Sequence, residues 1–351
     1  MSVDHAYFMQ QALQLAELGR YSVSPNPMVG CVIVKDSQIV GRGYHLRAGE
    51  PHAEVFALQA AQNLAPGADL YVTLEPCCHH GLTPPCVSAI IQAGIRCVYI
   101  ATVDPNPLVA GCGIQQLREH GISVITGIEE AAAKVLNEIF FHYITRQRPF
   151  VIAKWAMSLN GKTRAPLYSD RHITSESTQN HAHNLRAAVD AIIVGRQTVE
   201  QDDPRLTARI DGVIKQPLRI VVSSSGKLPL GLKLLDTGLA KTLIATIQAP
   251  EVLAEYYRGN EGLSLCQIPA NNQNQVDLSA LLTTLGAMQI TSVLIEGGET
   301  LLSSFFAGNL VNKAVAYIAP MFISHDRKIT MSPIDIQAIS GDFQLTTYSI
   351  D

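Results

Sequence analysis

The stretch EPCCHHGLTPPC, residues 75 to 86, places three cysteines and two histidines within twelve residues. Thiolates and imidazoles gathered this closely are candidate metal ligands, and zinc takes this mixture of sulfur and nitrogen. A second segment, PHAEV at 51 to 55, adds His52, with Glu54 two positions on. His52, Cys77 and Cys86 make three ligands. A structural zinc is usually closed by four protein ligands, whereas a catalytic zinc keeps three and leaves the fourth place to water, whose pKa it lowers to about 7. Glu54 is close enough to His52 to shuttle a proton without itself binding the metal. Cys78 adjoins Cys77, and adjacent residues in a loop point apart, so Cys78 is read as a non-ligating cysteine. His79 and His80 are less suited to a fourth ligand, which would make the site structural, than to lining the substrate pocket, and the residues alone do not say which of the two lines it.

A His-x-Glu followed by Pro-Cys and a later Cys is the pattern of zinc-dependent deaminases acting on nucleobases. The short form of that pattern has Cys-x-x-Cys, whereas here Cys86 lies nine positions after Cys77. The elements that must position these residues are two helix starts. His52 and Glu54 open the predicted helix HAEVFALQAAQ, and Pro51 stands where a first helical turn tolerates it. Cys86 opens a second helix, CVSAIIQAG, ended by Gly94. Helix N-termini carry partial positive charge and lower thiolate pKa values, so both starts are expected to face one anionic, metal-bound centre.

The chain of 351 residues suggests two domains. With 47% apolar and 16% charged residues it has an ordinary globular balance, and its net charge of −4 offers no general attraction for nucleic acid. No apolar run reaches membrane-spanning length. The N-terminal segment MSVDHAYFMQQALQLAELGR lacks the basic start and apolar run of a signal peptide. Phe8, Ala12, Leu15 and Ala16 recur there at helical spacing. Seven cysteines, an odd number, fit a reducing cytoplasm and a metal site better than a disulfide framework. GCVIVKDSQIVGRGYH predicts two strands joined at Asp36-Ser37, and ADLYVTLEP and CVYIATVDP predict two more. A helix to about His120, the strand ISVITG and a helix over 129 to 143 complete this half. The polar TRQRP, 145 to 149, marks the boundary between domains 1–146 and 147–351. The second half carries the strands FVIAKWAMSL, DAIIVG, LRIVVS, KTLIAT and SVLIEGG, with helices near 174–187, 276–288 and 299–307. Otherwise the stretch from about 226 to 275 is poorly patterned.

The strings SPNPMVGCVIVKDSQIVGRGYHLRAGEPHAE, TLEPCCHHGLTPPC and DPNPLVAGCG closely resemble the bifunctional deaminase–reductases of riboflavin biosynthesis. The likeness continues through KWAMSLNGKT, HITS, GRQTVEQDDPRLTAR and LIEGGETL and covers nearly the whole chain, and the long cysteine spacing belongs to the family pattern. It implies an α/β chain with a cytidine-deaminase-like three-layer N-terminal domain and a dihydrofolate-reductase-like C-terminal domain. The first would release the 2-amino group of 2,5-diamino-6-(5-phosphoribosylamino)pyrimidin-4(3H)-one. The second would reduce the ribosyl side chain of the resulting uracil to ribityl with NADPH. The resemblance makes His52, Cys77 and Cys86 the zinc ligands and Glu54 the proton shuttle. Asn26, Asp104 and Asn106 become pocket-rim residues, although Asn and Asp beside Pro also favour plain turns. The family further suggests a homo-oligomer, dimer or tetramer.

IEGGETLLSSF reads as a strand, two glycines and a helix. Gly297 and Gly298 would let backbone amides approach a phosphate at the helix N-terminus, and the resemblance extends this to an NADPH pyrophosphate site of Gly298, Glu299, Thr300, Leu301, Leu302, Ser303 and Ser304. It also places Ala156, His172, Thr198, Asp202 and Ser224 at the cofactor, and Asp170, Arg186, Leu206, Arg209 and Glu296 at the substrate. Arg186 and Arg209 suit phosphate clamps, because a guanidinium fork matches phosphate oxygens. Lys154, a charge inside an apolar strand, is read as a site residue. Three features depart from the family: Leu82 stands where Arg or Lys is usual, Asn160 replaces a common Asp, and YSDRHIT replaces Ser-x-Trp-Ile-Thr. They bear on substrate affinity more than on reaction type. The competing readings are a nucleic-acid base deaminase, which the acidic balance disfavours, a zinc-stabilised binding protein without activity, and an enzyme with one active half.

Overall fold

The expected hairpin forms, and its turn shows why these residues make it. β1 (Gly30–Lys35) and β2 (Gln38–Tyr44) are joined by Asp36 and Ser37, both at positive φ of 51° and 62°. That left-handed pair matches the right-handed twist of the flanking strands, and Asp and Ser hydrogen-bond locally enough to tolerate it. The computed structural model describes residues 4–79, 84–106, 109–164 and 173–324, with the strand backbones of 328–330, 335–339 and 342–346. The chain divides into two compact units, Met1–Phe150 with Leu282–Thr291, and Val151–Leu281 with Ser292–Asp351.

In the first unit, α1 (His5–Glu17) is capped by Asp4, whose carboxylate accepts the Tyr7 N–H. After the hairpin come α2 (Ala53–Ala61), β3 (Asp69–Leu74), α3 (Cys86–Gln92), β4 (Cys97–Thr102), α4 (Cys112–Glu119), β5 (Ser123–Thr126), α5 (Glu130–Leu136) and α6 (Glu138–Arg146). The strands form one sheet in the order β2-β1-β3-β4-β5, in which β1 is antiparallel to both neighbours and β3, β4 and β5 run parallel. Alternation along β1 splits the core in two. Cys31 and Ile33 join Leu70, Val72 and Val98 beneath α2, α3 and α4, while Val32 and Val34 join Tyr71 and Tyr99 beneath Phe8, Met9 and Ala12 of α1 and Ala133 of α5. This is the expected three-layer arrangement. The single helix expected over 129–143 is instead two, broken at Asn137. The buried Asn137 side chain accepts the Met28 N–H at 2.8 Å and donates to the Met28 carbonyl at 2.9 Å, which fixes its backbone outside the helix.

After α6 the chain continues with β6 (Phe150–Ser158), α7 (Glu176–Ala187), β7 (Ala191–Gly195), α8 (Arg196–Asp202), β8 (Leu218–Val222), β9 (Thr242–Thr246), α9 (Pro250–Ala254), β10 (Leu263–Gln267), α10 (Leu278–Ala287), β11 (Ser292–Ile295), α11 (Glu299–Ala307) and β12 (Lys313–Ala319), all in the second unit except that Phe150 and α10 from Leu282 onward belong to the first. The hairpins β13 (Met321–Ile323) with β14 (Lys328–Thr330) and β15 (Asp335–Ile339) with β16 (Asp342–Thr346) follow. Seven strands form a sheet in the order β10-β9-β8-β7-β11-β6-β12. Five adjacent pairs are parallel: β10 with β9, β9 with β8, β8 with β7, β7 with β11, and β6 with β12. Continuous buried runs such as Ile192-Ile193-Val194 and Val293-Leu294-Ile295 suit strands covered on both faces. The poorly patterned stretch holds β9, α9 and β10, and α8 was not expected; α8, α9 and β10 are each too short for a full periodic signature.

Candidate functional site

The close packing of α2 on β2 sets the site. A Cβ at Gly41 would meet the Ala57 carbonyl oxygen at 2.2 Å, and one at Gly43 would meet that of Ala53 at 2.2 Å. Glycine at both positions lets the α2 backbone lie directly on the strand. His52 is the N-cap of this helix and Glu54 is in its first turn. Cys77 lies in the loop after β3, and Cys86 is the first residue of α3, as expected. The Cys86 N–H donates to Cys77 Sγ at 3.3 Å, which locks the two ends of the loop together.

The three predicted ligands converge. His52 Nδ1 lies 3.2 Å from Cys86 Sγ and 3.5 Å from Cys77 Sγ, and the three ligand atoms all lie within 4.8 Å of one another. The Cys77 thiol is pushed down to about 4, chiefly by the Cys86 thiol, and Cys86 is pushed up because the two sulfurs share one proton. The hydrogen bond to Cys77 raises His52. A divalent zinc fits this donor set, because it takes two thiolates and an imidazole nitrogen and releases the shared proton. Glu54 is buried at 3% exposure, burial pushes its carboxyl up, and its Oε2 has no hydrogen-bond partner among the described residues. A buried carboxyl oxygen left free beside three ligands suits proton transfer, and a closed structural site has no use for one.

A cavity of about 320 Å³ opens beside these residues, lined in part by Asn26, His45, His79, Asp104 and Asn106. Asn26 Nδ2 lies 3.0 Å from His45 Nε2, and the Asp104 carboxylate accepts the Asn106 N–H at 2.8 Å. These residues make local hydrogen bonds in their own loops and also line the cavity. His79 lines the cavity, whereas His80 and Leu82 lie outside the described residues. Sequence reasoning missed His45, which is 2% exposed and packs edge-on to His52 with ring centroids 5.3 Å apart. Its only signal was a histidine one residue past the end of β2. Cys78 is not part of the converging group and forms a disulfide with Cys112, 34 residues away, where no disulfide was expected. The two cysteines meet because α4 begins beside the loop of Cys77, a proximity that spacing cannot reveal.

In the second unit, Lys154 of β6, Arg186 of α7 and Glu296, just after β11, form one half-buried cluster. Arg186 Nε and Nη2 donate to Glu296 at 2.6 and 2.7 Å, and Lys154 Nζ donates to it at 3.4 Å. Burial opposes ionisation of Glu296, but the Arg186 hydrogen bonds and both cations outweigh it and hold the carboxyl at about 2. This corrects the reading of Arg186 as a phosphate clamp. Its fork is taken by Glu296, and Nη1 donates to the Thr207 carbonyl. Arg209 is exposed, with one donor to Thr207 Oγ1 at 3.2 Å, so it retains donors for an anion. Its backbone N–H rests on His183 Nδ1, a histidine that sequence reasoning passed over. Leu206 is buried at positive φ of 52° in the same loop.

The cofactor candidates follow the strand order. Ala156 lies in β6, and Thr198, Ser224 and Gly298 come shortly after β7, β8 and β11. The C-terminal edge of a parallel sheet is where such folds bind nucleotides, and these positions fit NADPH there. The Gly298 N–H donates to Thr198 Oγ1 at 3.0 Å, which joins two of them. Gly298 caps α11, whose first residues are Glu299, Thr300, Leu301 and Leu302, followed by Ser303 and Ser304. Asp202 is the last residue of α8 and is exposed. Asp170 and His172 lie outside the described residues.

A three-layer unit with a converging His-Cys-Cys group beside a buried glutamate, followed by a largely parallel sheet, is the arrangement of a zinc-dependent deaminase joined to a reductase. Comparison with known proteins agrees. Residues 2–102 match the cytidine and deoxycytidylate deaminase zinc-binding region, and residues 149–350 match the RibD C-terminal domain. The chain is 42% identical to the riboflavin biosynthesis protein RibD of Aquifex aeolicus over 98% of its own length and 94% of that protein. The RibD structure from Acinetobacter baumannii superposes with a TM-score of 0.81 at 37% identity, covering 99% of both chains. That of the deaminase/reductase from Thermotoga maritima superposes at 0.78 and 31% identity, covering 98% of both. The chain belongs to the RibD family of riboflavin biosynthesis proteins and is a bifunctional deaminase and reductase.

Proposed function

We propose that His52, Cys77 and Cys86 hold the catalytic zinc and that Glu54 is the proton shuttle for deamination of 2,5-diamino-6-(5-phosphoribosylamino)pyrimidin-4(3H)-one. The observation that carries this is the buried Glu54 Oε2, without a hydrogen-bond partner among the described residues, beside three converging ligand atoms. Bound there, zinc supplies the Lewis acidity that makes hydroxide available at neutral pH. Glu54 takes the proton from the attacking water at Oε2, returns it to the ring nitrogen and helps the amine leave as ammonia. Asn26, Asp104 and Asn106 orient the pyrimidine in the cavity. A binding protein without activity would have no role for Glu54.

In the reductase half, NADPH supplies the hydride. Ala156, His172, Thr198, Asp202, Ser224 and the start of α11, Gly298 to Ser304, hold and orient it. Arg209 takes the substrate phosphate. Lys154, Arg186, Leu206, Glu296 and Asp170 shape the ribosyl pocket, and the Lys154–Glu296–Arg186 cluster keeps its charges fixed so that little reorganises during hydride transfer. The domains run 1–146 and 147–351, and the enzyme works in the cytoplasm as a homo-oligomer. The small-molecule metabolites and NADPH support that location. The sedimentation mass of the purified chain tests the assembly, and a monomer would refute it.

The test of the function is NADPH oxidation by zinc-loaded protein started with the diaminopyrimidine alone. Oxidation accompanied by an equal amount of ammonia is expected. Ammonia without oxidation would leave only the deaminase half standing, and neither would refute the reading.

A further inference from the structure

We propose that Glu75 is a positioning residue of the deaminase, a buried carboxylate clamp that holds the substrate-contacting loop at Asp104 and Asn106 in register with the metal centre. The inference rests on the deaminase reading and adds a residue to it. Glu75 is 4% exposed and separated from Cys77 only by Pro76. Its Oε2 accepts the N–H groups of Asp104 at 3.2 Å and Gly111 at 3.0 Å. Its Oε1 accepts those of Gly113 at 3.0 Å and Ile114 at 3.3 Å. An ionised carboxylate has about four acceptor sites, so these bonds use its capacity, and it has none left for substrate or proton transfer. Its own N–H donates to the Thr102 carbonyl at 3.0 Å, so the residue is pinned at both ends.

The clamp spans two elements of the pocket. On one side is the loop carrying Cys77 and His79. On the other are Asp104 and Asn106 and the start of α4, whose N-terminal amides favour an anion. α4 comes this near because residue 113 is glycine: a Cβ there would meet the Pro76 carbonyl oxygen at 2.1 Å and Glu75 Oε1 at 3.3 Å. The Asp104 N–H held by Glu75 belongs to the residue whose carboxylate folds back on Asn106 N, so a shift at the clamp moves both rim side chains together. The zinc ligands are held separately, by the Cys86 N–H bond to Cys77 and by α2. Loss of the clamp should therefore weaken substrate binding before it disturbs the metal.

Glu75→Gln keeps the shape, but its amide group faces two N–H donors it cannot accept. In the full-length zinc-loaded enzyme, KM for ammonia release should rise about tenfold or more. In the same variant kcat should stay within about threefold, with zinc content and reductase kinetics on the deaminated substrate unchanged. Glu75→Asp, which keeps the charge but is shorter by one methylene, should fall between the two and serves if the Gln variant does not fold. An unchanged KM in a folded variant, or a loss of activity that tracks loss of zinc, overturns the proposal. Failure of the wild-type enzyme to release ammonia would sink the functional reading instead, so the two failures are distinguishable.

Discussion

At the scale of the residue, neighbours in sequence have opposite fates. Cys77 faces His52 and Cys86, while Cys78 turns away and meets Cys112. Replacing each in turn separates ligand from bystander. Cys77→Ser should lose most of the bound zinc, since an alcohol ligates it far more weakly than a thiolate. Cys78→Ser should keep close to one zinc per chain. Elemental analysis of the two purified variants reads the outcome, and zinc loss in both would mean that the disulfide, not ligation, holds the centre. His52, Glu54 and Cys86 were legible because each stands at a predictable helix start. Glu75 and the Arg186–Glu296 pair were not. Their partners lie 29 to 39 and 110 residues away in sequence, and only the fold brings them close.

At the scale of the element, α2 must lie flat on β2 for His52 and Glu54 to face the loop of Cys77. Gly43→Ala places a methyl 2.2 Å from the Ala53 carbonyl oxygen and must lift the helix. It should cost about 1–3 kcal/mol of stability, as overpacking does. Competition with a chromophoric chelator should also show weaker zinc affinity, and unchanged affinity would contradict this account of the helix. In the other unit, Glu296 ties β6 and α7 to the end of β11. Its carboxyl is held at about 2 against an ordinary value of 4.5. A depressed carboxylate stabilises fully above its unfolded pKa, and that contribution fades as pH falls towards the folded value. The stability difference between wild type and Glu296→Gln should be about 3 kcal/mol near pH 6 and shrink between pH 4.5 and 2. The single tryptophan, Trp155 on β6, reports this unit in denaturant titrations. A difference independent of pH would remove the electrostatic explanation. Long, strongly patterned elements such as β1, β2 and α2 were legible from periodicity. The break at Asn137 was not, because the helical pattern runs through it and a side-chain bond to Met28 decides it.

At the scale of the whole molecule, two chemistries act in a fixed order on one substrate, and only the first needs metal. Chelation should therefore stop ammonia release while NADPH oxidation with the deaminated uracil substrate continues. Far-ultraviolet circular dichroism should change little, because the two apolar cores of the first unit contain none of His52, Cys77 and Cys86. Collapse of secondary structure on chelation would make the zinc structural. The central claim is that Glu54 moves the proton beside a three-ligand zinc, and the most direct test is the rate of ammonia release by Glu54→Gln with its zinc content measured on the same sample. The account predicts full zinc and a fall in kcat of about a thousandfold, the range of general acid–base catalysis. Near-wild-type turnover with zinc in place would contradict it.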